Sequence, residues 1–134
     1  MTLSDSWVMP VLAVDDLDRA SGFYRDTLGF SIQRLDDDPS VAIVEVGHGY
    51  LLLYESSFRR GETTVASFVV QDVESTVREL RERGVTFEDY DLPGLKTENG
   101  IATMGEMRTA WFKDSEGNVI AINNELTQYL RKAA

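Results

Sequence analysis

The chain writes one pattern of elements twice, and this internal repeat limits its fold more than any other feature. Trp7 to Val14 is an apolar segment that ends at Asp15-Asp16 and leads into a helical pattern; Val65 to Val70 does the same and ends at Gln71-Asp72. In the first helical pattern Leu17, Ala20, Phe23, Tyr24 and Leu28 fall on one face at three-to-four spacing, and Gly29 supplies the stop. In the second, Val73, Val77 and Leu80 repeat the spacing and Gly84 ends it. Each helix has an Asp where a side-chain oxygen caps free backbone N–H groups. A repeat of this length means two copies of one supersecondary unit that bury a shared face.

Strand patterns follow each helix. Phe30 to Leu35, Val41 to Val46 and Tyr50 to Glu55 are short and rich in β-branched and aromatic residues, with turns at Asp36-Asp37-Asp38-Pro39 and Gly47-His48-Gly49. The second half offers Thr86 to Glu88, Arg108 to Lys113 and Asn118 to Asn123, the last two joined at Ser115-Glu116-Gly117. The pattern predicts an α+β fold of two βαβββ modules in one domain over 1–134: module 1 at about 7–57, module 2 at about 64–125, and a tail at 126–134. Residues 89–107 read as a long connection with Pro93, Gly94, Gly100 and Gly105, the composition of a lid or binding loop. From Glu88 to Glu106 it carries Glu88, Asp89, Asp91, Glu98 and Glu106 against Lys96 alone.

Composition removes several function classes. A net charge of −10 opposes nucleic-acid binding, which needs clustered Lys and Arg to displace counterions. It suits a cationic ligand, whose local concentration a negative field raises. The absence of cysteine excludes disulfides, thiolate metal sites and cysteine nucleophiles. Met1 to Ser6 has no signal-peptide pattern and no apolar run reaches membrane-spanning length, so the expected location is the cytoplasm, with no membrane partner. His48, the single histidine, falls between glycines at a hairpin tip, and no Gly-x-Ser-x-Gly, P-loop or Gly-x-Gly-x-x-Gly motif is present. No catalytic residue is assigned.

Two stretches carry a family resemblance. Val14-Asp15-Asp16-Leu17-Asp18-Arg19-Ala20 through Phe23-Tyr24 to Leu28-Gly29-Phe30, and Ala110-Trp111-Phe112-Lys113-Asp114-Ser115-Glu116-Gly117-Asn118, resemble the signatures of the vicinal oxygen chelate superfamily. The resemblance implies that the two modules curl into a U-shaped mixed sheet around a ligand cavity. It also implies positions for a divalent metal, which land on Pro10, Leu52, Ala66 and Ala121. None of these side chains is suited to a divalent ion, so neither a metal nor any other cofactor is expected. Trp7-Val8-Met9-Pro10-Val11-Leu12 and the acidic run Asp36-Asp37-Asp38 are similar to the bleomycin-resistance proteins. That branch implies a homodimer with exchanged N-terminal arms, here Met1 to Met9, that sequesters a small-molecule antibiotic without turnover.

Strand alternation anchored on the four metal positions selects the cavity-facing residues Pro10, Leu12, Tyr50, Leu52, Tyr54, Phe68 and Asn123. Trp111, three residues before Asp114, matches a ligand-facing position of the fosfomycin-resistance enzymes, and Thr109 shares its side. Phe58, Met104 and Met107 fall in loops near the expected mouth. The expected function is metal-free binding of a hydrophobic or aromatic natural product or antibiotic. The alternative is a glyoxalase-like or dioxygenase-like enzyme of the same superfamily acting on a small metabolite.

Overall fold

The computed structural model describes residues 4, 9–36, 38–56 and 63–124. The chain forms two compact units, 1–60 and 61–134. The segment expected to exchange, Met1 to Met9, lies largely outside the described residues, as do Phe58 and the tail.

The first unit contains β1 (Val11–Val14), α1 (Leu17–Gly22), a π-helical turn (Phe23–Thr27), β2 (Ser31–Arg34), β3 (Val41–Val46) and β4 (Gly49–Glu55). Its mixed sheet has the order β1-β4-β3-β2, with β1 parallel to β4 and the other pairs antiparallel. Two carboxylates start the helix: Asp16 Oδ1 accepts from the Arg19 N–H at 3.0 Å, and Glu55 Oε2 accepts from the Leu17 N–H at 3.0 Å. Both satisfy donors that have no partner inside the first helical turn. The helix buries Leu17 and Ala20 against Leu12, Val14, Ala42, Val44, Leu51 and Leu53, the unit's apolar core.

One expectation for this unit needs correction. The periodicity predicts a single α-helix to Leu28, but the Leu28 N–H donates to the Phe23 carbonyl five residues back, at 3.0 Å. No Pro or Gly lies within 23–28 to impose this wider turn. At its centre Tyr24 is completely buried, edge-on to Phe23 with ring centroids 5.5 Å apart, so packing overrides helical periodicity here. Gly29, at φ +85°, then reverses the chain.

The second unit contains β5 (Thr64–Val69), α2 (Val73–Glu82), β6 (Asp91–Leu92), β7 (Leu95–Glu98), β8 (Ile101–Met104), β9 (Met107–Lys113) and β10 (Val119–Asn123). The sheet order is β5-β10-β9-β8-β7-β6, with β5 parallel to β10 and the remaining pairs antiparallel. Asp72 caps α2 by accepting from the Ser75 N–H at 3.1 Å, and Val73 and Val77 are buried. The fold class is thus α+β with two mixed sheets. Among the described residues no helix is long and apolar enough to cross a membrane.

Here the sequence expectation fails in two places. The strand expected at Thr86 to Glu88 shrinks to one bridge between Phe87 and Phe112, whose rings meet edge-on at 5.6 Å. Residues 89–107, expected as an irregular lid, contain the β6-β7-β8 meander. Its turns fall at Pro93-Gly94 and Asn99-Gly100, where Gly94, Asn99 and Gly100 all take positive φ. Asn-Gly with both residues left-handed is the turn that matches the twist of a tight hairpin.

Candidate functional site

Each sheet has one face under its helix and one face free of it, and alternation assigns every strand residue to one or the other. In the first unit the helix side is marked by Leu12, Val14, Leu51 and Leu53, by Glu55 at the helix start, and by Arg34 paired with Asp18 at 2.9 Å. The helix-free face carries Val11 and Ala13 of β1, Tyr50, Leu52 and Tyr54 of β4, and Val41, Ile43 and Glu45 of β3, aligned by the register pairs Val11 with Leu52, Ala13 with Tyr54, and Ile43 with Leu52. Tyr50 and Val11 are 46% and 54% exposed.

Tyr50, Leu52 and Tyr54 therefore share one face, as expected. Leu12 does not: it is 1% exposed and alternates with Val14 toward the helix. Pro10 stands one residue before β1, half-buried, and its carbonyl accepts from the Leu52 N–H at 2.9 Å. The parity anchor in β1 was displaced by one residue, and such a slip moves every side chain to the other face.

The second sheet repeats the slip. Phe68 lies beside Ile122 in the ladder, and Ala66 beside Ile120, on the side where Phe112 meets Phe87 and Arg108 approaches Glu74 of α2 at 3.8 Å. The helix-free positions of β5 are instead Val65, Ser67 and Val69. Met104, Met107, Thr109, Trp111 and Asn123 do share the helix-free face, through the register pairs Met104 with Met107, Thr109 with Asn123, and Trp111 with Ala121. Asn123 Nδ2 also donates to Ser67 Oγ. Met104 and Met107 sit in strands rather than in the loops expected for them.

Tyr90 was missed by the sequence reading. Glu88 and Tyr90 alternate with Phe87 and Asp89, and the Tyr90 ring stands edge-on to Trp111, centroids 5.4 Å apart at 86°. Burial, with help from the Glu88 carboxylate, raises the Tyr90 phenol above its ordinary range, so it stays a neutral donor. The backbone beneath it is fixed: the Tyr90 N–H donates to Thr97 Oγ1 at 2.8 Å and the Thr97 N–H to the Tyr90 carbonyl at 2.9 Å. Asp89 Oδ1 accepts from Thr97 Oγ1 at 3.0 Å and from the Gly100 N–H at 2.9 Å. The contact spans three strands, so no local pattern announces it.

β9 and β10 are joined by a turn built on one buried carboxylate. Asp114, 5% exposed, accepts at Oδ1 from the Glu116 and Asn118 N–H groups at 2.9 and 2.8 Å, and at Oδ2 from Asn118 Nδ2 at 3.0 Å. Gly117 closes the turn at φ +85°. This hairpin fixes the register of Thr109 and Trp111 against Asn123 and Ala121.

Does either helix-free face fit a divalent metal? In the first unit β1 and β4 present Val11, Ala13, Tyr50, Leu52 and Tyr54 there; in the second unit β5 and β10 present Val65, Ser67, Val69, Val119, Ala121 and Asn123. Divalent ions of this kind take imidazole, carboxylate or thiolate donors, and these residues supply none. Among the described residues no three His, Cys, Asp or Glu side chains group closely enough to hold an ion. The residues present do not fit one.

Comparison with known proteins finds the same fold. A member of the glyoxalase/bleomycin resistance protein/dioxygenase superfamily from Sphaerobacter thermophilus DSM 20745 superposes with a TM-score of 0.68 at 26% identity, over 90% of this chain and 98% of that one. TnmS3, an antibiotic binding protein from Streptomyces sp. CB03234, superposes with a TM-score of 0.65 at 23% identity, over 91% and 98%. A lactoylglutathione lyase from Agrobacterium tumefaciens gives 0.61 at 20%, over 91% and 95%. None of the curated protein sequences compared with the chain matches it. The fold is that of the glyoxalase/bleomycin resistance/dioxygenase superfamily. More narrowly, residues 7–47 match the bleomycin resistance protein-like N-terminal family.

Proposed function

We propose that this protein binds and sequesters a hydrophobic or aromatic small molecule, a natural product or antibiotic, without a metal and without turnover. The observation that carries the reading is the helix-free face of the second sheet. There Trp111, braced edge-on by Tyr90, lies among Met107, Thr109, Asn123 and Ser67. Aromatic area with a few convergent hydroxyl and amide groups is the usual make-up of a drug-sized site. The first unit by itself presents Tyr50, Leu52 and Tyr54 on a separate helix-free face. The likenesses to an antibiotic binding protein and to a lyase both rest on fold alone, so the reading is carried by the residues of this face.

Tryptophan fluorescence tests this. The chain has two tryptophans, so Trp7→Phe isolates Trp111. Micromolar polycyclic aromatic drugs are expected to quench it saturably, at one ligand per site. Quenching that rises linearly with drug, as for free tryptophan, would sink the proposal.

The reading includes a cytoplasmic homodimer with exchanged N-terminal arms. Apolar surface at the start of the edge strand supports it: Met9 is 38% exposed and Val11 beside it more so. Sedimentation velocity at micromolar concentration is expected to show a two-chain species, and deletion of residues 1–8 to weaken it. A wild-type monomer removes this part of the reading.

A further inference from the structure

The geometry points to Tyr90 as a ligand-contacting residue that donates its phenolic hydrogen to an acceptor oxygen on a planar aromatic ligand lying against Trp111. This rests on the binding reading above and goes further, because it specifies the chemistry of the ligand: a flat aromatic system with a carbonyl or similar acceptor at its edge.

Three observations carry it. First, Tyr90 touches Trp111 on the helix-free side of the sheet, at a right angle, so the two rings make a corner rather than a stack. An edge-on partner covers at most one face of the indole and leaves the opposite face to a third ring. Second, the Tyr90 hydroxyl makes no hydrogen bond to any described residue, although the ring is half-buried. Because the hydroxyl itself is accessible, the residue presents an apolar ring and a polar tip that a ligand can reach, the usual arrangement of Tyr at binding surfaces. Third, the residue is held in advance. Both backbone bonds to Thr97, and the Asp89 carboxylate that ties Thr97 to Gly100, fix the segment that carries it. A site that is ordered before binding loses less entropy on binding.

The neighbourhood also selects for a neutral acceptor. Glu88 lies close enough to Tyr90 for its charge to oppose an ionised phenol and, equally, an anionic ligand group. A carbonyl oxygen takes the hydrogen bond with no such repulsion.

The test uses a matched pair of probes, 9-fluorenone and fluorene, which share a planar ring system and differ in the carbonyl. Equilibrium dialysis against the full-length protein is expected to show fluorenone binding more tightly. Tyr90→Phe, which keeps the ring, is expected to weaken fluorenone by about fivefold to tenfold, the net effect of one buried hydrogen bond, and to leave fluorene unchanged. Tyr90→Ala is expected to weaken both, since the corner is lost. If both probes bind and Tyr90→Phe alters neither, the assignment of Tyr90 is wrong while the binding reading stands. If wild-type protein retains neither probe, the binding reading fails and takes this inference with it.

Discussion

Replacing Asp114 by Ala is expected to destabilise the protein by about 3–5 kcal/mol: hydrogen bonds to a charged acceptor contribute about 1.5–3 kcal/mol each, this one receives at least three, and bonds that share one carboxylate add incompletely. Two of the donors are backbone N–H groups of Glu116 and Asn118, buried residues whose amides have little access to replacement by water. Asp114→Asn keeps the shape and one acceptor oxygen, so it should cost less, about 1–2 kcal/mol. Urea denaturation of the two variants measures both. The effect extends to function, since the turn sets the pairing of β9 with β10 and thereby the placement of Trp111 and Thr109 beside Asn123. An Asp114→Ala protein within 1 kcal/mol of wild type would show that the turn does not depend on its carboxylate.

The second large effect is expected at Gly100. Its φ is +81°, which costs a side-chain-bearing residue about 1–2 kcal/mol. A Cβ here would also sit 2.8 Å from Arg81 Nη2 and 3.0 Å from the Phe87 Cβ. Arg81 cannot retreat freely, because Nη2 donates to the Asn99 carbonyl at 2.6 Å and the guanidinium lies over the Phe87 ring at 5.6 Å. Phe87 is buried against Phe112. Gly100→Ala should therefore destabilise by about 2–4 kcal/mol, adding overpacking to backbone strain. Gly105→Ala is the control. It shares a positive φ, +60°, but its Cβ would meet nothing within 4 Å, so only the backbone cost of about 1 kcal/mol applies. Equal losses at the two sites would mean that the contact with Arg81 and Phe87 carries no weight.

These two turns also show where sequence reasoning reached and where it stopped. Asp16, Asp72, Gly29 and Gly84 announce the helix ends, since capping is local chemistry that a few neighbouring residues decide. The turn at Asp114 was equally legible, as a five-residue motif. The β6-β7-β8 meander was not, because its strands are two to four residues long and give no period to count. The one local signal was Asn99-Gly100, which reads as a hairpin once its left-handed pair is taken seriously. The π-helical turn at Phe23–Thr27 left no trace in the sequence, as it arises from the burial of Tyr24.

The candidate site divides along the same line. The family resemblance supplied Leu52 and Trp111, and alternation from such anchors added Tyr50, Tyr54, Thr109 and Asn123; these six lie on the helix-free faces of their respective sheets. Alternation failed for Leu12 because β1 is apolar at all four positions, so its sequence gives no polar residue to mark the outward face, and it failed likewise for Phe68. In β5 the clue was Ser67, a polar residue that turns away from the helix-side core and takes Val65 and Val69 with it. Tyr90 was beyond reach, since its contact with Trp111 depends on how separate strands meet.

The most direct measurement is dialysis of the purified protein against a polycyclic aromatic antibiotic, with and without chelator, followed by mass spectrometry of what is recovered. The account predicts stoichiometric retention, an unchanged molecular mass, and no effect of chelator. Recovery of a converted product, with conversion abolished by chelator and restored by zinc, nickel, iron or manganese, would contradict it.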